Sequence, residues 1–250
     1  MNIIIHGIGG RMGRELAALI MSGYKGATLT AGVDVFGAES SVPCYKSFED
    51  IPSEVPCDVI IDFSHHSRIP VLLEYAQKTS TPVVIATTGL DEGELACVKG
   101  ASEAIPVFHA GNMSVGVALL CELAKSAVRT FDDADIEIIE YHHNRKLDAP
   151  SGTALMLFNA IKTVKESLFA NPGRAGNKKR EKNEVGIHAI RSGNIVGRHE
   201  IIIGTDAQTI TLTHEAHDRI LFAEGAVTAA QFLMGRKAGL YGMEDMINER

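Results

Sequence analysis

The first half of the chain alternates short apolar runs with segments of helical period, a pattern that calls for a parallel sheet covered by helices. Ile3–His6 reads as the first strand. Arg11–Met21 follows as a helix with Met12, Leu16, Leu19 and Ile20 at helical spacing, stopped by Ser22-Gly23. Thr28–Val33, Asp58–Phe63, Val83–Ala86 and Val107–His109 supply four further strands, with helices expected near Ile69–Lys78 and Glu92–Ser102. The fold class is α/β, with a doubly wound sheet.

After Gly111-Asn112 the pattern changes. A long helix (Val115–Arg129), a strand (Ile136–Tyr141), a polar loop and a helix over Thr153–Leu168, closed by Asn171-Pro172-Gly173, suggest a second domain. Gly173–Asn183 is rich in Gly, Lys and Arg without apolar period and reads as a flexible loop. Gly186–Arg191, Ile195–Ile203 and Gln208–His214 then read as an antiparallel meander, and Ile220–Met234 as a final helix with an apolar face.

Composition narrows the partners. A chain of 250 residues with a net charge of −7 lacks the cationic surplus that nucleic acid or an anionic membrane surface requires. It leaves room for an acidic small molecule in a local basic pocket. No apolar run approaches the ~20 residues of a membrane span. Met1-Asn2 leads straight into Ile3-Ile4-Ile5 without the basic and apolar regions of a signal peptide. Cys44, Cys57, Cys97 and Cys121 form no Cys-x-x-Cys pair, so buried, chemically quiet thiols and a cytoplasmic location are expected.

Two segments carry chemistry. Gly7-Ile8-Gly9-Gly10-Arg11-Met12-Gly13 lies between a strand and a helix, where glycines let a pyrophosphate approach helix-terminal N–H groups. The spacing departs from strict G-x-G-x-x-G, because Met12 holds the sixth place and Gly13 the seventh. Asp34 ends the second strand about twenty residues later, where a carboxylate accepts from ribose hydroxyls and repels a 2′-phosphate. Val35 and Phe36 follow it rather than Arg or Lys, which leans toward NADH, while Arg11 keeps NADPH open. The plain alternative is a tight turn with an ordinary loop acid.

The second segment, Glu140–Ala154, packs His142, His143, Arg145 and Lys146 between a strand and a helix that opens at Ser151-Gly152-Thr153. Imidazoles exchange protons near neutrality, Lys supplies positive charge, and a helix N-terminus attracts carboxylates. Such a loop suits an anion that also needs protonation. The alternative is a solvated loop with Ser151 as an N-cap.

Together these segments, with the pattern H-H-x-x-K-x-D-A-P-S-G-T-A from His142, resemble the dihydrodipicolinate reductase family over essentially the whole chain. Ala86–Gly89, Gly111–Gly116, Ile195–His199 and Phe222–Ala226 are similar to family segments too. The resemblance implies a Rossmann-type domain over residues 1–113 and 218–250, completed by C-terminal helices. An inserted α+β domain with a mixed sheet over 114–217 would bind substrate and join a homotetramer. It implies NADH and/or NADPH on Gly7, Ile8, Gly9, Gly10, Arg11, Met12 and Asp34, with the nicotinamide end near Ala86, Thr87, Thr88, Ala110, Gly111, Asn112 and Met113. His142 would be the proton donor and Lys146 the catalytic lysine. His143, Ser151, Gly152 and Thr153 would hold the carboxylates of a small cyclic dicarboxylate. The implied activity is reduction of 4-hydroxy-tetrahydrodipicolinate, with loss of water, to tetrahydrodipicolinate in lysine and diaminopimelate biosynthesis. Met113 and Tyr141 depart from residues common in relatives.

Three other readings compete. Another Rossmann reductase of a small amino-acid-derived acid would share the glycine turn but not the Lys146–Thr153 loop. A non-enzymatic NAD-binding module would use the histidine loop as an interaction surface. A metal hydrolase would use His214-Glu215-Ala216-His217 and His65-His66, but the order is H-E-x-H rather than H-E-x-x-H, so no metal is expected. Arg174, Lys178, Lys179, Arg180 and Lys182 read as a solvated charge run.

Overall fold

The computed structural model describes residues 1–249. In chain order it runs β1 (Asn2–His6), α1 (Arg11–Met21), β2 (Thr28–Val33), β3 (Cys44–Tyr45), β4 (Val59–Asp62), α2 (Ile69–Thr79), β5 (Val83–Ile85), α3 (Glu92–Ser102) and β6 (Pro106–His109). There follow α4 (Val115–Thr130), β7 (Asp135–His142), α5 (Gly152–Lys162), β8 (Phe169–Pro172), β9 (Glu184–Arg191), β10 (Gly197–Gly204) and β11 (Thr209–Ala216), and then α6 (Ile220–Leu233), β12 (Gly239–Tyr241) and α7 (Met243–Asn248). The chain divides into two compact units, one of Met1–Ser114 with the segment from Ile220 onward, the other Val115–Arg219.

In the first unit seven strands pair in the order β12-β6-β5-β4-β1-β2-β3, and every pair is parallel. Strands buried on both faces need unbroken apolar sequence, and Ile3-Ile4-Ile5 and Val59-Ile60-Ile61 are fully buried. The order reverses between β1 and β4, which makes the crevice beyond their carboxyl ends the natural ligand site. α6 is apolar nearly all round and buries Ala223, Ala226, Val227, Ala229, Ala230 and Leu233. A Cβ on its Gly225 would fall 1.7 Å from the carbonyl oxygen of Met113, so only glycine lets the chain pass there.

The second unit is a mixed sheet ordered β11-β10-β7-β9-β8, with α4 and α5 packed on one face. β7 alternates strictly, directing Ile136, Ile138, Glu140 and His142 to the buried register. The other register carries Glu137, Ile139 and Tyr141 on the open face.

Several sequence expectations are corrected. The helix read as Thr153–Leu168 ends at Lys162, because Thr163 closes the last turn on the carbonyls of Asn159 and Ala160. Val164 and Leu168 continue the apolar spacing but reach the core from a turn. Asn171-Pro172 then belong to β8, where Pro172 is tolerated because the strand is at the sheet edge. The supposed meander is not one. β9 lies parallel to β7 on one side and β10 antiparallel on the other, so only β10 and β11 form a hairpin. β10 begins at Gly197, and residues 192–196 cross the end of β7, tied there by Ser192 N–H to His142 O and Asn144 N–H to Gly193 O.

The basic run is not simply solvated. Arg174 donates to Glu137 and Glu184 at 2.6 and 2.7 Å, and Arg180 pairs with Asp135 at 2.7 Å. No two cysteines among the described residues are joined in a disulfide, but Cys121 alone is buried and Cys97 is exposed. Among the described residues no group of three His, Cys, Asp or Glu gathers to hold a metal, and no helix is long and apolar enough to cross a membrane.

Candidate active site

The glycine turn is a set of close approaches. Gly7 takes φ +81°, and a Cβ there would lie 2.7 Å from the Phe63 carbonyl oxygen. A Cβ at Gly13 would lie 2.1 Å from the oxygen of Gly7, so the seventh-place glycine is what lets α1 pack against the end of β1. Gly10 N–H donates to that same oxygen at 3.0 Å and begins the helix as an N-cap without a side-chain cap. No acidic residue occupies the first turn of α1, which suits an anion. Ile8 is buried against Gly32 of β2, where any side chain would collide with it.

Asp34 closes the turn from the next strand. One carboxylate oxygen accepts from Gly9 N–H and the other from Phe36 N–H, each at 3.0 Å. A cavity of about 600 Å³ opens here, lined by Gly7, Gly9, Gly10 and Asp34 but not by Ile8 or Met12. Phe36 and His65, read from the sequence in other roles, also line it, as do His6, Arg14, Phe63, Ser64, Ser67 and Arg68, for which the sequence suggested no role. Their signal was positional: Phe63–Arg68 follow β4, the strand beside the order reversal. Arg11 is exposed and does not line the cavity, so the cations at this site are Arg14 and Arg68.

Ala86–Thr88 and Ala110–Met113 follow β5 and β6, and parallel pairing puts them on the same carboxyl edge of the sheet. Ala86 N–H donates to Asp62 O at 3.0 Å, and Ala110 N–H to Ile85 O at 3.2 Å. Thr87 Oγ1 is buried with no hydrogen-bond partner. A glycine cradle that a Cβ would fill, a carboxylate at the end of β2 and an orphaned hydroxyl on this edge together fit a dinucleotide. His6 Nδ1 and Asp62 Oδ1 lie 2.8 Å apart at the base of the crevice.

In the second unit, the loop after β7 and the N-terminus of α5 bring His142, Lys146 and Ser151 into one network. Glu140 is fully buried and its carboxylate takes up the Nδ1 side of His142 at 2.5 Å. Arg191, from β9, donates to both oxygens of Glu140 at 2.8 and 2.7 Å, and Ser151 N–H donates to one of them at 3.0 Å. Burial alone would push the Glu140 carboxyl up, but the hydrogen bonds from His142, Arg191 and Ser151 outweigh it and hold it down at about 2.

Ser151 caps α5 by accepting from Ala154 N–H at 3.2 Å, and no acid stands in the first turn. Its hydroxyl meets His199 Nε2 at 3.2 Å. Burial, helped by the neighbouring His142, lowers His199 to about 4, so its ring is neutral. His199 stacks edge-on against His142 with ring centroids 5.2 Å apart. His143 is lowered by desolvation and then by Arg145, Arg219, His142 and Lys146, and its Nδ1 is buried without a partner. Lys146 pairs with Asp148 at 2.9 Å, and that ammonium lowers the Asp148 carboxyl. Gly152 is exposed and Thr153 half-buried.

Comparison with known proteins accords with this geometry. Residues 1–113 match the family model described as dihydrodipicolinate reductase, N-terminus, and residues 116–247 the one described as dihydrodipicolinate reductase, C-terminus. A 4-hydroxy-tetrahydrodipicolinate reductase of Caldanaerobacter subterraneus is 44% identical, covering 100% of this chain and 99% of its own. One of Clostridium novyi is 43% identical over 99% and 98%. A dipicolinate-bound dihydrodipicolinate reductase from Paenisporosarcina superposes with a TM-score of 0.82 at 26% identity, covering 98% of both chains. With both halves matched and relatives alike from end to end, the chain belongs to the dihydrodipicolinate reductase family, pyridine-nucleotide-dependent reductases.

Proposed function

We propose that this protein reduces 4-hydroxy-tetrahydrodipicolinate, with loss of water, to tetrahydrodipicolinate in lysine and diaminopimelate biosynthesis. The observation that carries the reading is the joining of His142 and the Ser151 helix terminus through the buried Glu140 carboxylate, with Lys146 held beside them through Asp148 and Arg191, a construction suited to a dianion that takes up a proton.

A reduced nicotinamide dinucleotide supplies the hydride when bound. Its holders are Gly7, Gly9 and Gly10 with the N–H groups of Arg11 and Met12. Asp34 takes the ribose hydroxyls and gives up its present bonds to Gly9 and Phe36. The same carboxylate supports NADH over NADPH, since it repels a 2′-phosphate. Thr87, among Ala86–Thr88 and Ala110–Met113, offers its orphaned hydroxyl to the nicotinamide end.

In the other unit His143, Ser151, Gly152 and Thr153 hold the substrate carboxylates, and Lys146 offsets negative charge as it develops. His142 delivers a proton from Nε2, the electron pair of that N–H bond staying on the ring. Gly197 leaves room for this: a Cβ there would stand 3.2 Å from His142 Nε2. The open face of the second sheet, with Ile139, Tyr141, Ile190 and Ile202, supports assembly of a homotetramer. Cysteines that form no disulfide suit the cytoplasm.

The test is a coupled assay in which enzymatically made hydroxy-tetrahydrodipicolinate is supplied with NADH and then NADPH. Loss of reduced-nicotinamide absorbance, faster with NADH, is expected. No oxidation with either cofactor would refute the reading. Oxidation with other amino-acid-derived acids alone would point to the rival reductase.

A further inference from the structure

We propose that Glu140, held ionised by Arg191, is a positioning residue that fixes the tautomer and the aim of the His142 ring, so that its Nε2 is always the atom facing the reaction. The inference rests on the proposed role of His142 as proton donor.

Three observations carry it. First, Glu140 stands where strand alternation demands an apolar side chain, in the register of Ile136 and Ile138, and is 0% exposed. A buried ion pair is seldom retained for stability, since an apolar replacement of equal volume is commonly as stable or more so. Second, four donors converge on this carboxylate: His142 Nδ1, both terminal nitrogens of Arg191 and the N–H of Ser151. A bidentate guanidinium keeps the negative charge on Glu140, so the shared proton stays on Nδ1 of the imidazole. When Nε2 gives its proton away, the ring is left neutral with its remaining hydrogen on Nδ1, and the return proton can bind only at Nε2. Third, Arg191 also donates to Asp148 O at 2.6 Å, and Asp148 pairs with Lys146. One guanidinium therefore fixes both the partner of His142 and the loop that carries Lys146. His199 flanks the ring edge-on and restricts its swing.

The experiment uses the full-length protein with Glu140→Gln, His142→Ala and the double variant. Glu140→Gln preserves shape but removes charge and presents a mixed donor–acceptor face to Nδ1. Loss of kcat by about 10²-fold, within the range of a positioned general acid, is expected. KM for the substrate and affinity for NADH should stay within about threefold, because an interaction lost only in the transition state lowers kcat and kcat/KM together. In the His142→Ala background, adding Glu140→Gln should cost nothing further, because the positioned group is gone. A purely structural Glu140 would instead give losses that multiply, and that result would overturn the inference. So would full kcat in Glu140→Gln while His142→Ala is inactive, an outcome that leaves the proposed reaction standing.

A second measurement needs no variant that folds. Nitrogen-15 histidine NMR of the wild-type protein should show His142 with its hydrogen on Nδ1, in a strongly downfield-shifted proton resonance. A neutral ring with its hydrogen on Nε2 alone, or a mixture of neutral tautomers, would sink the proposal even if the reductase assay failed altogether.

Discussion

Gly13→Ala tests whether the glycine turn works by close backbone approach. The added Cβ would stand 2.1 Å from Gly7 O, 2.8 Å from Ile8 Cα and 2.9 Å from Gly7 C, all of them backbone atoms that cannot rotate away. Restoring ordinary contact requires α1 to retreat by more than about 1 Å, which in a close-packed interior loosens Leu16, Leu19 and Ile20 beneath it. Alanine offsets this by about 1 kcal/mol through helix propensity. Overpacking costs about 1–3 kcal/mol, and the loosened face forfeits part of the ~1.5–3 kcal/mol that each buried aliphatic side chain contributes. We expect a net loss of about 2 kcal/mol in urea unfolding. The retreat also moves the N–H groups at the head of α1. At about 1.5–3 kcal/mol per charge-assisted hydrogen bond, loss of even two weakens NADH binding by 10²-fold or more, measurable by nicotinamide fluorescence titration. Gly100→Ala is the control: it lies in α3 with nothing within 4 Å of its Cβ, and should stabilise by up to about 1 kcal/mol. If Gly13→Ala unfolded at the wild-type urea concentration and bound NADH within about threefold of wild type, the close-approach argument would be wrong.

Asp34→Ser should move cofactor preference toward NADPH, because it removes the anion proposed to face the 2′ position while Arg14 and Arg68 remain in the cavity wall; an unchanged ratio of kcat/KM for NADH and NADPH would mean the carboxylate does not read the ribose. Lys146→Ala should cut turnover by about 10²-fold or more with NADH affinity near normal, and near wild-type turnover would remove Lys146 from the chemistry. The Glu140 carboxyl, ordinarily at 4.5 and held at about 2 in the fold, contributes stability that is fully present above 4.5 and is lost as the pH falls toward 2. At about 1.4 kcal/mol per unit this is on the order of 3 kcal/mol. Urea midpoints of wild type and Glu140→Gln should therefore differ most above pH 4.5 and converge below it; a gap that did not narrow in acid would show that charge on Glu140 is not what stabilises.

What could be read from the sequence followed from period and punctuation. Ile3-Ile4-Ile5, the glycines and the helical spacing of Leu16, Leu19 and Ile20 all agree on β1, the turn and α1, so local and tertiary demands coincide there. β3 and β12 escaped because two or three residues carry no period; they exist only as additions to edges already formed by β2 and β6. The placement of β7 between β9 and β10 could not be seen because alternation tells which face a residue takes, not which strand lies beside it. Arg191 and His199 escaped for the same reason: they reach Glu140 and Ser151 across 51 and 48 residues of chain. Glu140 did leave a mark, an acid in the apolar register of a strand, visible once Ile136 and Ile138 are set beside it.

The central position of β7 ties the surroundings of His142, and with them its proposed role, to the order of assembly. His142 acquires its surroundings only when one neighbour has arrived in the same direction, bringing Arg191, and another in the opposite direction, bringing His199. The β10–β11 hairpin closes locally, whereas pairing β7 with β9 must close a loop that includes α5 and the basic segment, and is the entropically slower event. A half-folded chain could hold the hairpin and helices and yet leave Glu140 an uncompensated acid in a sheet interior. Recovery of turnover during refolding should accordingly lag behind recovery of secondary structure.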